Sequence, residues 1–277
     1  MSATHGGQLQ AQQLSDLQRE RSLAEIYKNL PFSEYQKIEA WRSHDLMTLA
    51  QCGFRWTRQS SLHETPALLE GRVQHTIFLE LDSFNDEFVI EPDLNRRTKA
   101  GKEQYAEWAE TIGDRTPIKR ALYETCMERR AVVEHLVPQP EHDVELTVVF
   151  DWHGQKCKSR FDWHDGESVL DLKTCRDASP RGFRRAISTF RYYQQAAFYL
   201  TAARAAGLRA DRFWFLAQEK AHPYPYLWYT LSPAAIEYGD QQNEQALALG
   251  LALLGGELAR SFNFEDDWVE FDADDLF

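Results

Sequence analysis

Short runs of apolar and aromatic residues predict strands in the middle of the chain. These runs cover residues 144–150, 156–163 and 168–174, and short apolar runs bounded by turns are typical of strands. Turn residues separate these runs, and the second turn is Asp165-Gly166. Asp-Gly between two such runs is a strong hairpin signal, because glycine adopts the positive φ that tight turns require. The pattern therefore predicts a three-stranded antiparallel meander whose register is set by the second turn.

Helical spacing of apolar residues predicts helices before and after the meander. The predicted helices cover residues 23–30, 43–52, 64–81, 101–112, 118–136, 180–206 and 233–254. Ser232-Pro233 supports the last one, since serine caps helices and proline is favoured at their first position. Short strands are predicted at 88–90, 212–218 and 226–231. No repeat or linker divides the pattern, so we predict a single α/β domain over residues 21–256.

The composition favours an ordinary globular protein of the cytoplasm. Of the 277 residues, 43% are hydrophobic and 27% are charged, and no apolar run reaches the roughly 18 residues of a membrane span. Residues 1–20 are polar and glutamine-rich, so we expect them to be disordered and not to form an export signal. We therefore expect the four cysteines to be reduced thiols. Their spacing matches neither a zinc site nor an iron–sulfur cluster.

The net charge of −12 is unevenly distributed along the chain. Seven acidic residues and no basic one lie in 265–277, within a segment, 257–277, that we treat as an acidic C-terminal tail. Residues 173–191 instead hold six basic residues against Asp177, and residues 96–102 are also basic. Local charge matters more to a polyanion than the total does. The two basic stretches are therefore either ordinary solvated faces or a nucleic-acid surface.

Two carboxylates and an ammonium group are predicted on the meander. Asp162 precedes the Asp165-Gly166 turn, and Asp171 and Lys173 follow it. Because side chains two apart in a strand share a face, Asp171 and Lys173 point the same way. Buried charges must pair with one another or hold a metal, so this group is either a salt bridge or a metal site. From the tripeptide Asp-x-Lys alone, a surface salt bridge is the simpler interpretation.

Other candidate residues lie on predicted helices. His75 lies off the main apolar stripe of its helix, where a histidine is more often structural than a ligand. Gln195 and Tyr199 are four residues apart and therefore share one helical face. Spacing alone favours a core boundary for this pair, and the alternative is that it binds a phosphate or holds the Asp171 strand.

Taken in order, these segments resemble a known family. The sequence contains Gly-Arg-Val-Gln-His at 71–75, Asp162, Leu-Asp-Leu-Lys-Thr at 170–174 and a Gln-x-x-x-Tyr pair at 195–199. In this order and with these gaps, the chain resembles the PD-(D/E)XK nuclease superfamily in its RecB-like branch. Within that branch it is similar to the nuclease domain of exonuclease VIII (RecE) and related phage recombination exonucleases. Further segments typical of this group are 95–102, 158–163 and 177–180.

The resemblance, which covers residues 23–254, implies a fold and a metal site. The fold is an α/β restriction-endonuclease-like core, with a mixed central sheet that contains the antiparallel meander and is flanked by helices. The metal is Mg²⁺, which Mn²⁺ can replace, and the implied ligands are Asp162, Asp171, the Leu172 carbonyl and His75. Such cations prefer carboxylate oxygens, polarise the phosphate and activate water. Lys173 would orient the attacking water, and Gln195 and Tyr199 would complete the catalytic set.

The resemblance also implies a further ligand and a DNA surface. Glu145 is a candidate ligand, because related exonucleases carry an acidic residue upstream of the first metal aspartate; its neighbours Glu141 and Asp143 are alternatives. The implied DNA-binding residues are Arg72, Arg96, Arg97, Lys99, Arg176, Arg181, Arg184 and Arg185. Arg55, Arg58 or Arg72 would receive a terminal 5′ phosphate, since arginine binds phosphate bidentately.

By this resemblance the protein is expected to be a Mg²⁺-dependent deoxyribonuclease that degrades one strand from a double-stranded DNA end, 5′ to 3′. A single-strand annealing protein would take the resulting 3′ overhang. A homo-oligomeric ring, trimer or tetramer, would enclose the DNA, and a phage or prophage in a bacterial cytoplasm would encode the chain. One alternative is a non-catalytic DNA-end or protein-binding module that kept the fold. Another is an endonuclease or single-strand-specific nuclease of the same superfamily.

Overall fold

The protein is described from a computed structural model that covers residues 24–58 and 65–257. The predictions for residues 1–20 and for the acidic tail beyond Glu257 lie outside these residues. The described strands are β1 (Glu25–Tyr27), β2 (Phe88–Ile90), β3 (Thr116–Ile118), β4 (Asp143–Trp152), β5 (Gln155–His164), β6 (Ser168–Cys175), β7 (Arg212–Glu219) and β8 (Tyr226–Thr230). Six of the described strands form the central sheet, in the order β1-β4-β5-β6-β7-β8, and β2 and β3 form a separate parallel pair.

The predicted meander is confirmed. Strands β4, β5 and β6 pair antiparallel in sequence, and Gly166, with a φ of 93°, lies in the turn between β5 and β6. Strand β6 then pairs in parallel with β7, and β7 pairs antiparallel with β8, so the sheet is mixed. Helices flank it, and the predicted fold class is therefore confirmed as well.

The register of β6 has a different origin from the one expected. Strand β6 pairs with β7 along its whole length, but its ladder with β5 consists of Trp163–Leu170 and His164–Val169 alone. Pairing with β7 therefore fixes the register of β6 over more residues than the Asp165-Gly166 turn does. Asp165 still serves the turn, since its carboxylate accepts hydrogen bonds from the backbone N–H groups of Glu167 and Ser168.

The described α-helices are α1 (Phe32–Lys37), α2 (Ser43–Gln51), α3 (Gly53–Trp56), α4 (Pro66–Leu79), α5 (Phe84–Glu87), α6 (Lys99–Thr111), α7 (Arg120–Val132), α8 (Pro180–Thr189), α9 (Tyr192–Ala205) and α10 (Pro233–Leu254). Side-chain caps explain where several of these helices begin. Thr65, Thr98, Ser179 and Ser232 each accept a hydrogen bond from a backbone N–H in the first turn, which satisfies a donor that the helix itself leaves free.

The predicted helix over 23–30 is wrong, and the predicted helix over 180–206 is wrong in part. Residues 25–27 form β1, because they pair with Thr147–Val149 and cover the outer edge of β4. The predicted helix over 180–206 is broken after Phe190, where Arg191 adopts a left-handed φ of 55°. The Arg191 guanidinium donates to the Tyr193 hydroxyl at 3.1 Å and to the Ala50 carbonyl at 3.2 Å. These contacts to a distant segment hold a bend that helical spacing along the chain does not reveal.

The sheet buries a different apolar group on each face. On one face, which we call the α9 face, the sheet residues that pack with α9 include Phe161, Val169, Phe213 and Phe215. On the other, which we call the α4 face, the sheet residues that pack with Phe78 of α4 are Trp163, Leu170, Leu172 and Leu216. The alternation along β6 and β7 is the one expected of regular strands. Among the described residues, no helix has both the length and the apolar character needed to cross a membrane.

Candidate active site

Two irregular strand positions bring carboxylates together at one level of the sheet. Residues two apart in a regular strand share a face, but Val144 packs on the α4 face and Leu146 on the α9 face. The residue between them, Glu145, has a left-handed φ of 48°. In the facing strand β5, the residues on either side of Asp162 also pack on opposite faces of the sheet. Asp162 lies at the same level of the ladder as Glu145. Both carboxylates therefore lie where the regular pleat of β4 and β5 is interrupted.

Asp162 bridges the point at which β5 and β6 separate. Beyond the Trp163–Leu170 pair the two strands have no ladder partners in each other. The Asp162 carboxylate occupies the gap and accepts a hydrogen bond from the Leu172 backbone N–H at 2.6 Å. Asp162 is buried, so this backbone bond both satisfies an otherwise unpaired N–H and fixes the carboxylate beside β6.

His75 reaches the same gap from the α4 face. Its Nε2 lies 3.0 Å from the Leu172 carbonyl oxygen, and its Nδ1 lies 3.5 Å from an Asp162 oxygen. Three residues further along α4, the buried ring of Phe78 packs on Trp163 and anchors the helix on the sheet. Burial lowers the pKa of His75, which favours the neutral imidazole that binds metals.

His75, Glu145 and Asp162 form a carboxylate–imidazole cluster. One ligand atom from each of the three lies within 4.8 Å of the others. Burial raises the pKa of Glu145 to about 7, although Arg160 opposes the shift. Burial, and then the charge of Asp171, raise the pKa of Asp162 well above its usual range. The cluster fits a divalent cation, because a bound cation would offset the cost of burying two carboxylate charges, which is the main cause of both shifts.

Asp171 and Lys173 form the other half of the site. An Asp171 oxygen lies 2.6 Å from the Lys173 Nζ, and the other accepts a hydrogen bond from the Gln195 side-chain amide at 2.8 Å. Burial disfavours the Lys173 ammonium, but the charges of Asp171 and Asp162 outweigh it and raise the pKa of Lys173. Lys173 is therefore a positively charged group next to the cluster. Its Nζ also lies 4.8 Å from the centre of the Tyr192 ring.

Gln195 and Tyr199, the predicted pair on α9, lie in two different environments. Gln195 contacts Asp171 directly, so it belongs to the site rather than to a core boundary. Tyr199, one turn further, packs its ring on Phe161 and Phe213 at centroid distances of 5.3 and 6.0 Å. Burial raises the pKa of Tyr199 well above its usual range, and the neighbouring Gln195 moderates this shift. At any ordinary pH Tyr199 thus stays a neutral phenol.

The predicted basic residues lie on two separate parts of the surface. Arg176, Arg181, Arg184 and Arg185 are all exposed, and the last three lie on α8, whose buried Phe183 stacks on Tyr229. Arg96, Arg97 and Lys99 are exposed on and just before α6, where the Arg96 guanidinium lies over the Tyr105 ring. Of these two sets, only Arg176 and the α8 arginines directly follow β6 in the chain, and β6 carries Lys173.

Of the three candidate phosphate-binding arginines, Arg55 and Arg58 lie together at the end of α3, and Arg72 lies on α4. The guanidinium of Arg72 donates to Glu87 and to Thr116, at the β2–β3 pair. Arg55 donates to Gln51, one turn back in α2, at 3.2 Å, and Arg58 lies over the Phe54 ring. None of these contacts involves the carboxylates of the cluster.

Arg160 is a site residue that the sequence analysis did not single out. Its Nε donates to Glu145, and its Nη1 donates to the Leu30 carbonyl at 2.6 Å. The guanidinium also lies near the rings of Phe32 and Tyr35. The position of Arg160, two residues before Asp162, was the available signal. Its partner Glu145 comes into reach only through the pairing of β4 with β5.

Comparisons with known proteins agree with this fold. A family model described as a PDDEXK-like domain of unknown function (DUF3799) matches residues 32–258. The crystal structure of a candidate exonuclease from Eubacterium rectale is similar in fold, with a TM-score of 0.57 and 16% identity, over 86% of this chain and 90% of that one. The crystal structure of SSO0001 aligns with a TM-score of 0.29 and 13% identity over 66% and 87% of the two chains, which carries no argument. No curated protein matches the sequence significantly.

Proposed function

The chain belongs to the PDDEXK-like domain family, as its motifs predicted, and on this premise we propose that it is a divalent-metal-dependent deoxyribonuclease. One observation carries the proposal: the cluster of His75, Glu145 and Asp162 lies next to the ion pair of the buried Asp171 with the half-buried Lys173. A surface salt bridge between Asp171 and Lys173 would need neither further carboxylates nor a histidine beside it. It would also not need β5 and β6 to separate at this point. The narrower resemblance to exonuclease VIII stays a prediction.

The proposed metal is Mg²⁺, with Mn²⁺ as a substitute, held by Asp162, Asp171, His75, the Leu172 carbonyl and Glu145. When bound, such an ion polarises a phosphate and makes water more nucleophilic. The residues of the chain then do the rest. Lys173 orients the attacking water and stabilises the charge that builds up on the phosphate, and Gln195 holds the carboxylate of Asp171 in position. The neutral Tyr199 packs behind them and limits the water around Asp171.

We extend the proposal to the substrate and the assembly. The basic face of α8 supports DNA as the polymer, since its arginines would contact the backbone without reading sequence. The fold it shares with the candidate exonuclease of Eubacterium rectale supports action from an end. A 5′ to 3′ direction on duplex ends, a ring of several copies, a single-strand annealing partner and a phage origin are further parts of this proposal, and they rest on the resemblance of the motifs.

End-labelled DNA tests the proposal. Linear duplex labelled at one 5′ end is incubated with the full chain and Mg²⁺, Mn²⁺ or EDTA, beside closed-circular DNA of the same sequence. We expect release of labelled mononucleotides from the linear DNA only, and no release in EDTA. Equal cutting of linear and circular DNA would instead identify an endonuclease. Absence of cleavage, together with Mn²⁺ binding that is unchanged in Asp171→Asn, would identify a non-catalytic module.

A further inference from the structure

Phe190 is the most exposed aromatic residue in the part of the chain that the structure describes. Phe190 is 59% exposed, and it lies at the end of α8, where the predicted long helix is broken. Single exposed aromatic residues are ordinary on a protein surface, so what matters is where this ring lies relative to the site. The break and the left-handed Arg191 that follows it keep Phe190 outside the core while α9 begins inside it.

A short aromatic stack connects Phe190 to the site. The Phe190 ring is stacked on Tyr192, with 5.6 Å between centroids and an interplanar angle of 28°. The Tyr192 ring is 4.8 Å from the Lys173 Nζ, and its inner side packs against Phe183 and Phe215. Tyr192 is therefore fixed by the core, and Phe190 is the free outer surface of a stack that begins at the proposed catalytic lysine.

The helix that ends at this stack has a basic exposed side, which is complementary to a polyanion. Helix α8 exposes Arg181, Arg184 and Arg185, and Arg176 precedes it. The acidic residue of this stretch, Asp177, is engaged in the turn that starts α8, where it accepts a hydrogen bond from the Ser179 backbone N–H. An exposed apolar ring at the end of a helix that also exposes arginines suits a partner with flat apolar faces and a charged backbone. A nucleic-acid strand has both.

We propose that Phe190 is a base-stacking step, on which an unpaired nucleobase of the cleaved DNA strand rests next to the scissile phosphate. A base inside a duplex is stacked on both sides, whereas the last base of a strand has a free face, so the step would act at a strand end, where fraying unpairs that base. The inference rests on the proposed nuclease function and deepens it by defining the substrate at the site. Phe190 would position the strand, while Lys173 and the carboxylates carry out the reaction.

An abasic substitution tests the step directly. Cleavage rates are measured with oligonucleotides of one sequence, intact or with an abasic site at the first, second or third nucleotide of the cleaved strand. We expect the wild-type chain to lose about tenfold in kcat/KM at one of these positions, mainly through KM, as the removal of one stacked base implies. Phe190→Ala should show the same loss on the intact strand and no further loss on the abasic one. Phe190→Trp should restore the discrimination.

Tyr238→Ala is the matched control, because Tyr238 is also an exposed aromatic, at 52%, but lies on α10. It should discriminate between the substrates as the wild type does. Mn²⁺ binding by Phe190→Ala, measured by calorimetry, confirms that the site is intact. If the wild type cleaves intact and abasic strands equally at every position, or if Phe190→Ala discriminates as the wild type does, the stacking step is overturned while the nuclease function stands. If the wild type cleaves neither substrate with any metal, the nuclease proposal and the step are both rejected.

Discussion

Glu145 shows how one residue changes the chemistry of the site. A non-glycine residue with a positive φ costs about 1 kcal/mol or more relative to ordinary strand geometry. Here that conformation moves the Glu145 carboxylate to within 4.8 Å of the ligand atoms of His75 and Asp162. The ion pair with Arg160 helps to hold it there. Asp143, a sequence alternative to Glu145, instead pairs with Lys28 at the start of β4.

Replacing Glu145 tests its place among the proposed ligands. Glu145→Gln keeps the size of the side chain but removes its charge, so we expect the affinity for Mn²⁺ to fall by at least about tenfold. Asp143→Asn removes a carboxylate from the same strand and should leave the affinity unchanged. Calorimetric titration of both variants at pH 8 measures the effect. Equal affinities for the two variants would remove Glu145 from the ligand set.

Replacing Asp171 tests the catalytic half of the site. Asp171→Asn leaves the half-buried Lys173 without its carboxylate and weakens the binding of the metal, so kcat should fall by about 10²-fold to 10³-fold or more. Asp165→Asn is the control, because an asparagine oxygen can accept the same two backbone hydrogen bonds in the turn. Cleavage of end-labelled duplex is the measurement. Activity of Asp171→Asn within threefold of the wild type contradicts the assignment.

At the scale of elements, the site depends on which strand holds β6. Strand β6 carries Asp171, Leu172 and Lys173, and it pairs with β7 along its whole length but with β5 only next to the turn. A change in the turn is therefore opposed by the complete ladder on the other side. This ladder, and not the Asp165-Gly166 turn, keeps Asp171 and Lys173 facing α9.

A one-residue insertion in the turn separates these two sources of register. With one glycine inserted after Gly166, we expect the extra residue to be accommodated in the turn, while β6 keeps its pairing with β7. Cleavage should stay within about tenfold of the wild type, because a slip of one residue, which would turn every side chain of β6 to the other face, is avoided. The nuclease assay is combined with thermal denaturation. Complete loss of cleavage at an unchanged melting temperature would show that the turn sets the register.

At the scale of the whole molecule, the buried carboxylates of the site lower the folding stability of the metal-free protein. Glu145 has an ordinary pKa of 4.5, which burial raises to about 7 in the folded chain. Between these values the unfolded chain has released the proton and the folded chain still binds it. The folded state is therefore favoured at the acidic end of the window, and its stability decreases as the pH rises from about 4.5 to about 7. The raised pKa of Asp162 acts in the same direction.

Denaturation at different pH values tests this linkage. In EDTA, the free energy of unfolding of the wild type, relative to Glu145→Gln, should fall by up to about 3 kcal/mol between pH 5 and pH 8. The difference between the two proteins is the relevant quantity, because groups remote from Glu145 titrate alike in both proteins and cancel, while His75 and Asp162, which are coupled to Glu145, remain part of the measured effect. Urea denaturation followed by fluorescence measures it. Mn²⁺ should stabilise the wild type more at pH 8 than at pH 5, and a difference that is constant or rises with pH would contradict the assignment.

The sequence by itself determined the meander and the fold class, and it named residues that the fold brings together in the candidate site. The apolar-rich runs and the Asp-Gly turn are local signals, and the order of the motifs around His75, Asp162, Asp171 and Lys173 sufficed to predict the family. Helical spacing likewise placed Gln195 on the face from which it contacts Asp171. All of these features follow from residues close together in the chain, because they depend on the period of one strand or helix.

Only the tertiary structure decided how the site is completed. Glu145 joins it through an irregular backbone angle and the pairing of β4 with β5, and Arg160 holds it through a bond that reaches back to Leu30. The break between α8 and α9, which leaves Phe190 exposed, depends on the contact of Arg191 with Ala50. These features come from contacts between residues far apart in the sequence, and no periodicity along the chain encodes them.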